Sequence, residues 1–533
     1  MRKSLVLAMS VVSVSTSLLS AQTWVGPLNG SANDPTNWSG GVVPASESTV
    51  TFNNATSSAV FNGSLSVSTI NFDNGTTTLD LNHYALTAGG TVNIASGTGA
   101  SPQHANVLLK NGALTSGPLI LGKGSYAVGE LDIASGTTVQ ATQVRLGYQL
   151  NASGRIMLAG SGATLLATST IEIGAMTAAT GELALTDGAS VQSSSAVRVG
   201  MGIGGYGSLT MRGAGTRLTA TSLHFAESGT ASMRIDSGAL VNLVGMFDTA
   251  SNPSVGTASI AIDDATVVCS AAALYLGTTE IANGGTLVTF AASATSISNG
   301  SLTLNDGSIV LASGCRLQNG GTLRGNGRIR GALYNTSTGL VTIGTGQSLL
   351  VDGTTTNSTN NGIIAISGGE FTVTRGFDNG SGGLITGRDA TIRFGDGSSL
   401  LSYSASSGQV AFLAGSNNVV FGDLNVSSSA KITHTGNSTT TYYDDIVNNA
   451  TVQTDAGSTA NFLGSVSGSG TFTGAGTNVF FADMRPATAR AHSRSTAPRS
   501  SIRARRSTSN SPARSPLNTT TSSRRATFSG RSH

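Results

Sequence analysis

Residues 200–205, "GMGIGG", have the glycine spacing of a dinucleotide-binding loop, in which the N-terminus of a helix binds the phosphates. Here the residues that follow, "YGSLTM", alternate between apolar and polar or small side chains, which predicts a strand and not a helix. Without helix amides the phosphates would have no cradle. The sequence therefore predicts a turn between strands at this motif and no cofactor-binding residue.

Two pairs of adjacent carboxylates are the next groups that could take part in catalysis. They are Asp263–Asp264 and Asp444–Asp445, and the second pair follows Tyr442 and Tyr443. Polysaccharide lyases built on β-helices combine several carboxylates with a basic residue from neighbouring coils. Adjacent residues of a strand point to opposite faces, so neither pair forms a site alone. We expect solvated acids in turns.

Histidine, serine and cysteine show no catalytic or metal-binding pattern. The six histidines are not at metal-ligand spacing, and neither a serine nucleophile elbow nor a Cys–His grouping is present. The histidines are His83, His104, His224, His434, His492 and His533. The sequence thus predicts no catalytic, cofactor-binding or metal-binding residue, no cofactor and no enzymatic activity. The alternative is a β-helical polysaccharide lyase or hydrolase, which would need three or more carboxylates with Arg or Lys on adjacent coils.

The elements that would position these residues form a repeat. Five segments align, "GELDIASG", "GRIMLAGSG", "GELALTDG", "GSLTMRGAG" and "ASMRIDSG", and their starts are 25, 27, 26 and 24 residues apart from Gly129 onward. Alternate residues are apolar, and a glycine ends each segment. A second strand follows at a fixed delay, in "VRLG", "IEIG" and "VRVG", with Arg or Glu in its middle. Such alternation predicts strands with one buried face.

Several short strands in each repeat, without helices, favour one fold class. We expect an all-β protein, a long single-stranded right-handed parallel β-helix (β-solenoid) with coils of roughly 25 residues. A string of β-sandwiches is the rival, with antiparallel hairpins. Cys269 and Cys315 lie about two coils apart, beyond disulfide reach, and are predicted to be unpaired small core residues.

The two ends of the chain differ from its body. Arg2 and Lys3 precede an apolar segment over 5–19, and the sequence predicts a signal peptide over 1–21. Eleven of the 29 Lys and Arg residues follow Asp483, where there is no Asp or Glu, so the body has more acidic than basic residues. No stretch of the sequence has the apolar length of a membrane span.

Three stretches carry a resemblance to a known family. They are "TWVGPLNGSANDPTNWSGGVVPASESTVTFNN", "GTLRGNGRIRGALYNTSTGLVTIG" and "VSGSGTFTGAG". They resemble exported bacterial proteins with autotransporter-associated β-strand repeats, many of which end in a PEP-type C-terminal sorting signal. The resemblance implies a β-solenoid passenger at the cell surface or outside the cell, with no shared catalytic residues.

The family resemblance also bears on both ends of the solenoid. Trp24 and Trp38 are predicted to cap its first coil, and the alternative is sugar stacking on an exposed ring.

The family commonly closes with Arg-Pro-Gly-Asn-Ser-Pro-Gly-Thr-Leu, and here "MRP" is followed by "ATARAHS". One lost base after the Pro486 codon would convert the family ending into this string. The basic tail is therefore predicted to be out of frame, disordered and without a selected nucleic-acid partner.

These observations define five segments and a function. The segments are the signal peptide 1–21, an N-terminal cap with the first coils 22–89, β-solenoid repeats 90–320, Gly-rich repeats of the autotransporter-associated type 321–483 and the basic tail 484–533. The predicted protein is a monomeric, secreted or surface-located structural or adhesive solenoid. Its expected partners are surface glycans or other cell-surface proteins, with no specific nucleic acid.

Overall fold

The structure, a computed structural model, describes residues 21–97, 103–249, 256–275, 277–291, 295–353, 355–380, 382–395, 403–405 and 408–486. These residues form parallel strands and one short 3-10 turn, Pro35–Asn37. Each strand pairs with the equivalent strand one coil later, as Val128 does with Ser153 and Ser153 with Thr180. The predicted all-β parallel β-helix is confirmed, and the string of β-sandwiches is wrong because its antiparallel hairpins are replaced by parallel stacking.

The chain passes through three strand positions in each coil, which we call tracks A, B and C in the order in which the chain meets them. Track A forms a 21-stranded sheet, whereas tracks B and C join in a 37-stranded sheet. Track A comprises Ala21–Thr23, Thr49–Phe52, Thr69–Phe72, Val92–Ile94, Leu119–Leu121, Val144–Leu146, Ile171–Ile173, Ala196–Val199, Ser222–Phe225, Met246–Thr249, Ala271–Leu274, Thr295–Ile297, Arg316–Asn319, Ala332–Asn335, Ser358–Asn360, Phe377–Asn379, Tyr403–Ala405, Leu424–Val426, Ile446–Asn448, Val466–Gly468 and Met484–Pro486.

Tracks B and C share two long strands, Ser301–Val310 and Thr322–Arg330, which run through both positions. The other track B strands are Gly30–Ser31, Thr56–Val60, Gly75–Asp80, His104–Lys110, Val128–Ile133, Ser153–Ala159, Thr180–Thr186, Tyr206–Arg212, Thr230–Asp236, Thr257–Asp263, Thr278–Ala282, Leu340–Ile343, Ile363–Ser367, Leu384–Arg388, Gln409–Phe412, Lys431–His434, Thr451–Thr454 and Thr471–Thr473. The other track C strands are Leu65–Val67, Ala85–Ala88, Ala113–Ser116, Thr138–Ala141, Thr164–Ala167, Ser190–Ser193, Arg217–Ala220, Leu240–Leu243, Thr266–Cys269, Thr286–Thr289, Ser348–Val351, Glu370–Val373, Thr391–Phe394, Asn417–Phe421, Thr439–Tyr442, Thr459–Phe462 and Thr477–Phe480.

Alternation of side chains places the core inside the coil. In Ser153–Ala159, Ile156 and Leu158 are fully buried, while the residues between them face outward. Their neighbours one coil on, Leu183 and Leu185, are buried at the same positions. Because every coil repeats this pattern, the buried side chains form one continuous apolar column.

Glycine is required where track A turns into track B. Gly147 and Gly174 have positive φ angles of 66° and 65°. A Cβ added to either would lie 2.4 Å from a backbone oxygen of the next coil, that of Thr180 or Tyr206. The closing glycine of "VRLG" and "IEIG" is therefore dictated both by conformation and by close stacking of coils.

Coil length changes along the chain. Around residues 128–257 it matches the roughly 25 residues predicted, but Thr451 and Thr471 pair at a distance of 20 residues. The later coils are shorter because their track B strands have four residues, as in Thr451–Thr454, where Ser153–Ala159 has seven. The corner from track A to track B also shrinks, from residues 174–179 to residues 469–470.

An asparagine ladder runs through the buried end of track A in the Gly-rich coils. The Nδ2 of each residue donates to the Oδ1 of the next, over distances of 2.8, 2.7 and 2.7 Å. The ladder consists of Asn319, Asn335, Asn360 and Asn379, all fully buried. Each ladder bond satisfies polar groups inside an otherwise apolar column, which explains the asparagine in this repeat.

The two tryptophans cover the first coil. Trp24 and Trp38 are 0% and 2% exposed, and their ring centroids are 5.2 Å apart in an edge-to-face arrangement. Trp38 Nε1 donates to Ala32 O at 2.9 Å, and both rings pack on Phe52. The predicted cap is confirmed, and an exposed ring for sugar stacking is wrong.

Candidate functional site

The outward residues in the middle of track A form a charge ladder. Arg145, Glu172, Arg198, His224 and Asp248 lie one above another in register. Arg145 Nε lies 3.0 Å from Glu172 Oε2. Opposite charges on successive coils offset one another, so this face offers paired charges and not a single-sign field.

A Ser–His–Asp constellation lies on this ladder. Ser222 Oγ is 2.8 Å from His224 Nε2, and His224 Nδ1 is 2.7 Å from Asp248 Oδ1. Because a carboxylate only accepts, Nδ1–H donates to Asp248, and in the neutral ring Nε2 accepts the Ser222 hydroxyl. The hydrogen bond to Asp248 raises the pKa of His224 against the opposing effect of burial.

These three groups have the order of a nucleophile, a base and an orienting acid. Ser222 and His224 nevertheless lie in a strand paired on both sides, whose backbone N–H groups serve the sheet ladder. Acyl transfer needs N–H donors aimed at a developing oxyanion, and a paired strand does not present them. The constellation therefore holds a proton between Ser222, His224 and Asp248 on the outer side of track A.

Sequence analysis missed this grouping. It treated His224 as isolated because Asp248 is distant in the chain and becomes a neighbour only through the coil register. The detectable signal was "SLHF", which places Ser222 and His224 on one face of a strand. An alignment of the track A strands would have placed Asp248 beside them.

A cleft interrupts the regular stacking where track C turns into track A. Two long corners, residues 311–315 and residues 352–353 with 355–357, lie on either side of a corner reduced to Gly331. Thr356 Oγ1 donates to Gly314 O at 3.1 Å, which joins the two long corners across the short one. This arrangement, which we call the arch cleft, is open to solvent and has a volume of about 420 Å³.

Polar groups gather on one side of the arch cleft. Arg328 donates through Nε and Nη2 to Asp352 Oδ2, with the Nε bond at 2.8 Å, and this pairing raises the pKa of Arg328. Arg330 is exposed on the same strand and makes no ion pair within 4 Å with any residue that the structure describes. Leu311, Ala312 and Cys315 form the apolar part of the lining.

The cleft lies in an acid-free part of the sequence. Residues 307–351 contain four arginines and no Asp, Glu or Lys. These arginines are Arg316, Arg324, Arg328 and Arg330, and only Arg328 has an ion-pair partner among the described residues. In a body with excess acid, this stretch thus has three arginines without an ion-pair partner among the described residues.

The glycine motif and the acidic pairs lie in turns and strand ends. The "GMGIGG" segment joins Ala196–Val199 to Tyr206–Arg212 and precedes a strand, as predicted. Asp263 ends a track B strand and accepts from Asn283 Nδ2 at 2.7 Å. Asp444 Oδ2 accepts from the Gly422 N–H, whereas Asp445 Oδ1 accepts from Ser465, so the second pair serves two different coils.

The remaining sequence candidates are dispersed. Within the described ranges, no three His, Cys, Asp or Glu side chains are placed to hold a metal ion. Both cysteines are unpaired and buried, as predicted, and burial raises the pKa of Cys269 to about 12. Tyr442 is buried and Tyr443 exposed. The predicted signal peptide, up to residue 20, and the basic tail from 487, with His492 and His533, lie outside the described residues.

Among the described residues, no helix is both long and apolar enough to cross a bilayer.

Comparison with known proteins yields one structural similarity. No protein-family model matches the chain, and no curated protein matches it. The crystal structure of a TibC-catalysed, hyper-glycosylated fragment of TibA is similar at 15% sequence identity, over 70% of this chain and 99% of that one. Its TM-score is 0.19, which is too low to carry an argument about fold or function.

Proposed function

We propose that this chain is an exported, non-enzymatic β-solenoid of the cell surface or exterior, with a structural or adhesive role. The observation that carries the proposal is the stack of 21 track A strands in register, with polar side chains outward on successive coils. A rigid column of this kind presents many equivalent groups along its length. Repeated weak contacts then add up to firm attachment.

The chemistry of the faces supports adhesion over catalysis. The densest mixed group includes Arg212, Arg234, Asp236 and Asp263, in which ion pairs connect two arginines to two carboxylates. A lyase-like site requires a third carboxylate beside a basic group, and the acids here already have partners. The Ser222 constellation lies in a paired strand, away from free amide donors.

Adhesion and catalysis are separated by two measurements on the purified full chain. Beads coated with the protein should adhere to bacterial or host cell surfaces above beads coated with albumin. Hydrolysis of p-nitrophenyl acetate should equal that of Ser222→Ala. Absence of adhesion on every surface would remove the adhesive role, and hydrolysis lost in Ser222→Ala would contradict the non-enzymatic one.

We also propose that the chain belongs with the autotransporter-associated repeat proteins and that its tail is out of frame. The asparagine ladder gives a physical role to the Asn-containing turn of "GTLRGNGRIRGALYNTSTG". The first test is resequencing across codons 480–533. A restored frame beginning Arg-Pro-Gly-Asn-Ser-Pro-Gly would support the proposal, whereas an unchanged base count with no such frame would leave the basic tail as native sequence.

Export is a proposal that rests on the first 21 residues. Arg2, Lys3 and the apolar segment after them are expected to direct secretion and to be removed after Ala21. Cleavage there would remove the first residue of the track A strand Ala21–Thr23 and leave Gln22, which pairs with Val50, as the new N-terminus. Fusion of 1–21 to a reporter enzyme that is active only after export should produce activity, and Arg2→Glu with Lys3→Glu should reduce it.

A further inference from the structure

We propose that the arch cleft binds the carboxylate of an acidic sugar residue in a surface polysaccharide, with Arg330 as the principal cation. This inference rests on the proposed adhesive function and names the chemical class of its partner. It starts from the break in the coil pattern at Gly331, where two long corners are joined by Thr356 and Gly314.

Charge selects an anionic ligand. Acidic residues outnumber basic ones before residue 484, but residues 307–351 carry no acid. Asp352 accepts both described hydrogen bonds of the Arg328 guanidinium on one oxygen, so Arg328 is already compensated. Arg330, two residues further along the strand, has its charge available, and a guanidinium binds a carboxylate through two parallel N–H bonds.

Hydrogen-bonding groups favour a ligand that also carries hydroxyls. Asp352 Oδ1 is buried and has no hydrogen-bond partner among the described residues. Because this oxygen has no exposed surface, ligand hydroxyls would instead meet the side-chain hydroxyls of Thr355 and Thr356, which line the same cleft.

Shape and lining favour a sugar over a nucleotide. A volume of about 420 Å³ is within the range of small-ligand sites. None of the lining residues is aromatic, so a base would find no stacking partner. Leu311 and Ala312 offer an apolar surface to the C–H face of a sugar ring.

The test is titration calorimetry of the full chain with trigalacturonate, and with neutral maltotriose as the second ligand. Arg330→Gln should weaken trigalacturonate binding by about tenfold or more, and Arg330→Lys should lie between it and the native protein. The matched control is Arg324→Gln, an exposed and unpaired arginine of the same strand outside the cleft lining, which should leave binding within about twofold.

Three results would overturn the inference. They are no heat of binding at millimolar trigalacturonate, equal loss in Arg324→Gln and Arg330→Gln, or equal binding of maltotriose. The bead assay distinguishes this failure from failure of the proposed function. Beads that adhere to cells without any trigalacturonate binding would refute only the acidic-sugar site.

Discussion

At the scale of single residues, His434 is the most consequential titratable group in the core. Its ring is fully buried and stacks on Phe412, with centroids 5.4 Å apart. Nδ1–H donates to Gln453 O at 3.2 Å, and Nε2 accepts from the Tyr442 hydroxyl at 3.0 Å. Both nitrogens are thus satisfied in the neutral form, and desolvation lowers the pKa to about 4 despite the nearby Asp455.

Acid should destabilise the coils around His434. The unfolded chain takes up the proton near pH 6.5, whereas the folded chain does so only near pH 4. The contribution of neutral His434 to the free energy of unfolding is therefore fully present above pH 6.5. It falls by about 3 kcal/mol as the pH drops to about 4. Hydrogen exchange of residues 431–462 at several pH values measures this effect, and His434→Gln should reduce it.

His224 provides an internal control of opposite sign. The bond to Asp248 raises its pKa, with Glu227 adding to the effect and Arg198 opposing it. The stability gained from this pair is fully present below pH 6.5 and is lost as the pH rises through the folded pKa. An NMR titration of the two imidazole rings should give a pKa above 6.5 for His224 and a pKa below 6.5 for His434. Asp248→Asn should change the pKa of His224 only.

At the scale of strands, the asparagine ladder should hold the Gly-rich coils together. Asn360 accepts from Asn335 and donates to Asn379, both at 2.7 Å, so its loss leaves Asn379 Oδ1 without that donor. We expect Asn360→Ala to cost about 3 kcal/mol locally. Hydrogen exchange over residues 335–383 should accelerate by about a hundredfold.

The matched control is Asn357→Ala, three residues earlier and exposed. It should leave exchange in residues 335–383 unchanged. Equal acceleration in both variants would show that the ladder adds nothing beyond the general effect of removing an amide.

Sequence alternation was sufficient to predict the strands, and the glycines were sufficient to predict the corners. The same local patterns could not predict the asparagine ladder, the Ser–His–Asp constellation or the arch cleft. Each depends on which residues become neighbours one coil later, and that distance changes from about 25 residues near Gly129 to 20 near Thr451. Local pattern fixes the direction of a side chain but not the residue stacked above it.

At the scale of the whole stack, neighbours along the chain are also neighbours in space. Val128 and Ser153 are equivalent positions of successive coils, so removing residues 128–152 joins two equivalent corners. This variant should fold with unchanged circular dichroism per residue and a melting temperature close to that of the native chain.

Deletion of residues 128–140 is the corresponding control, since it removes about half a coil and brings the track A strand Val144–Leu146 to the track B position. It should lose cooperative melting and become sensitive to protease. If both deletions unfold equally, the coils are coupled beyond nearest neighbours.

The asparagine ladder also gives the interior an electrical direction. All its amides donate toward later coils, so their dipoles add head to tail and polarise one another. The oxygen end is Asn319 Oδ1, which has no donor among the described residues and stacks beside the coil of Ile297. This part of the solenoid is therefore axially polarised, and an ion would distinguish its two directions even where every surface charge is balanced.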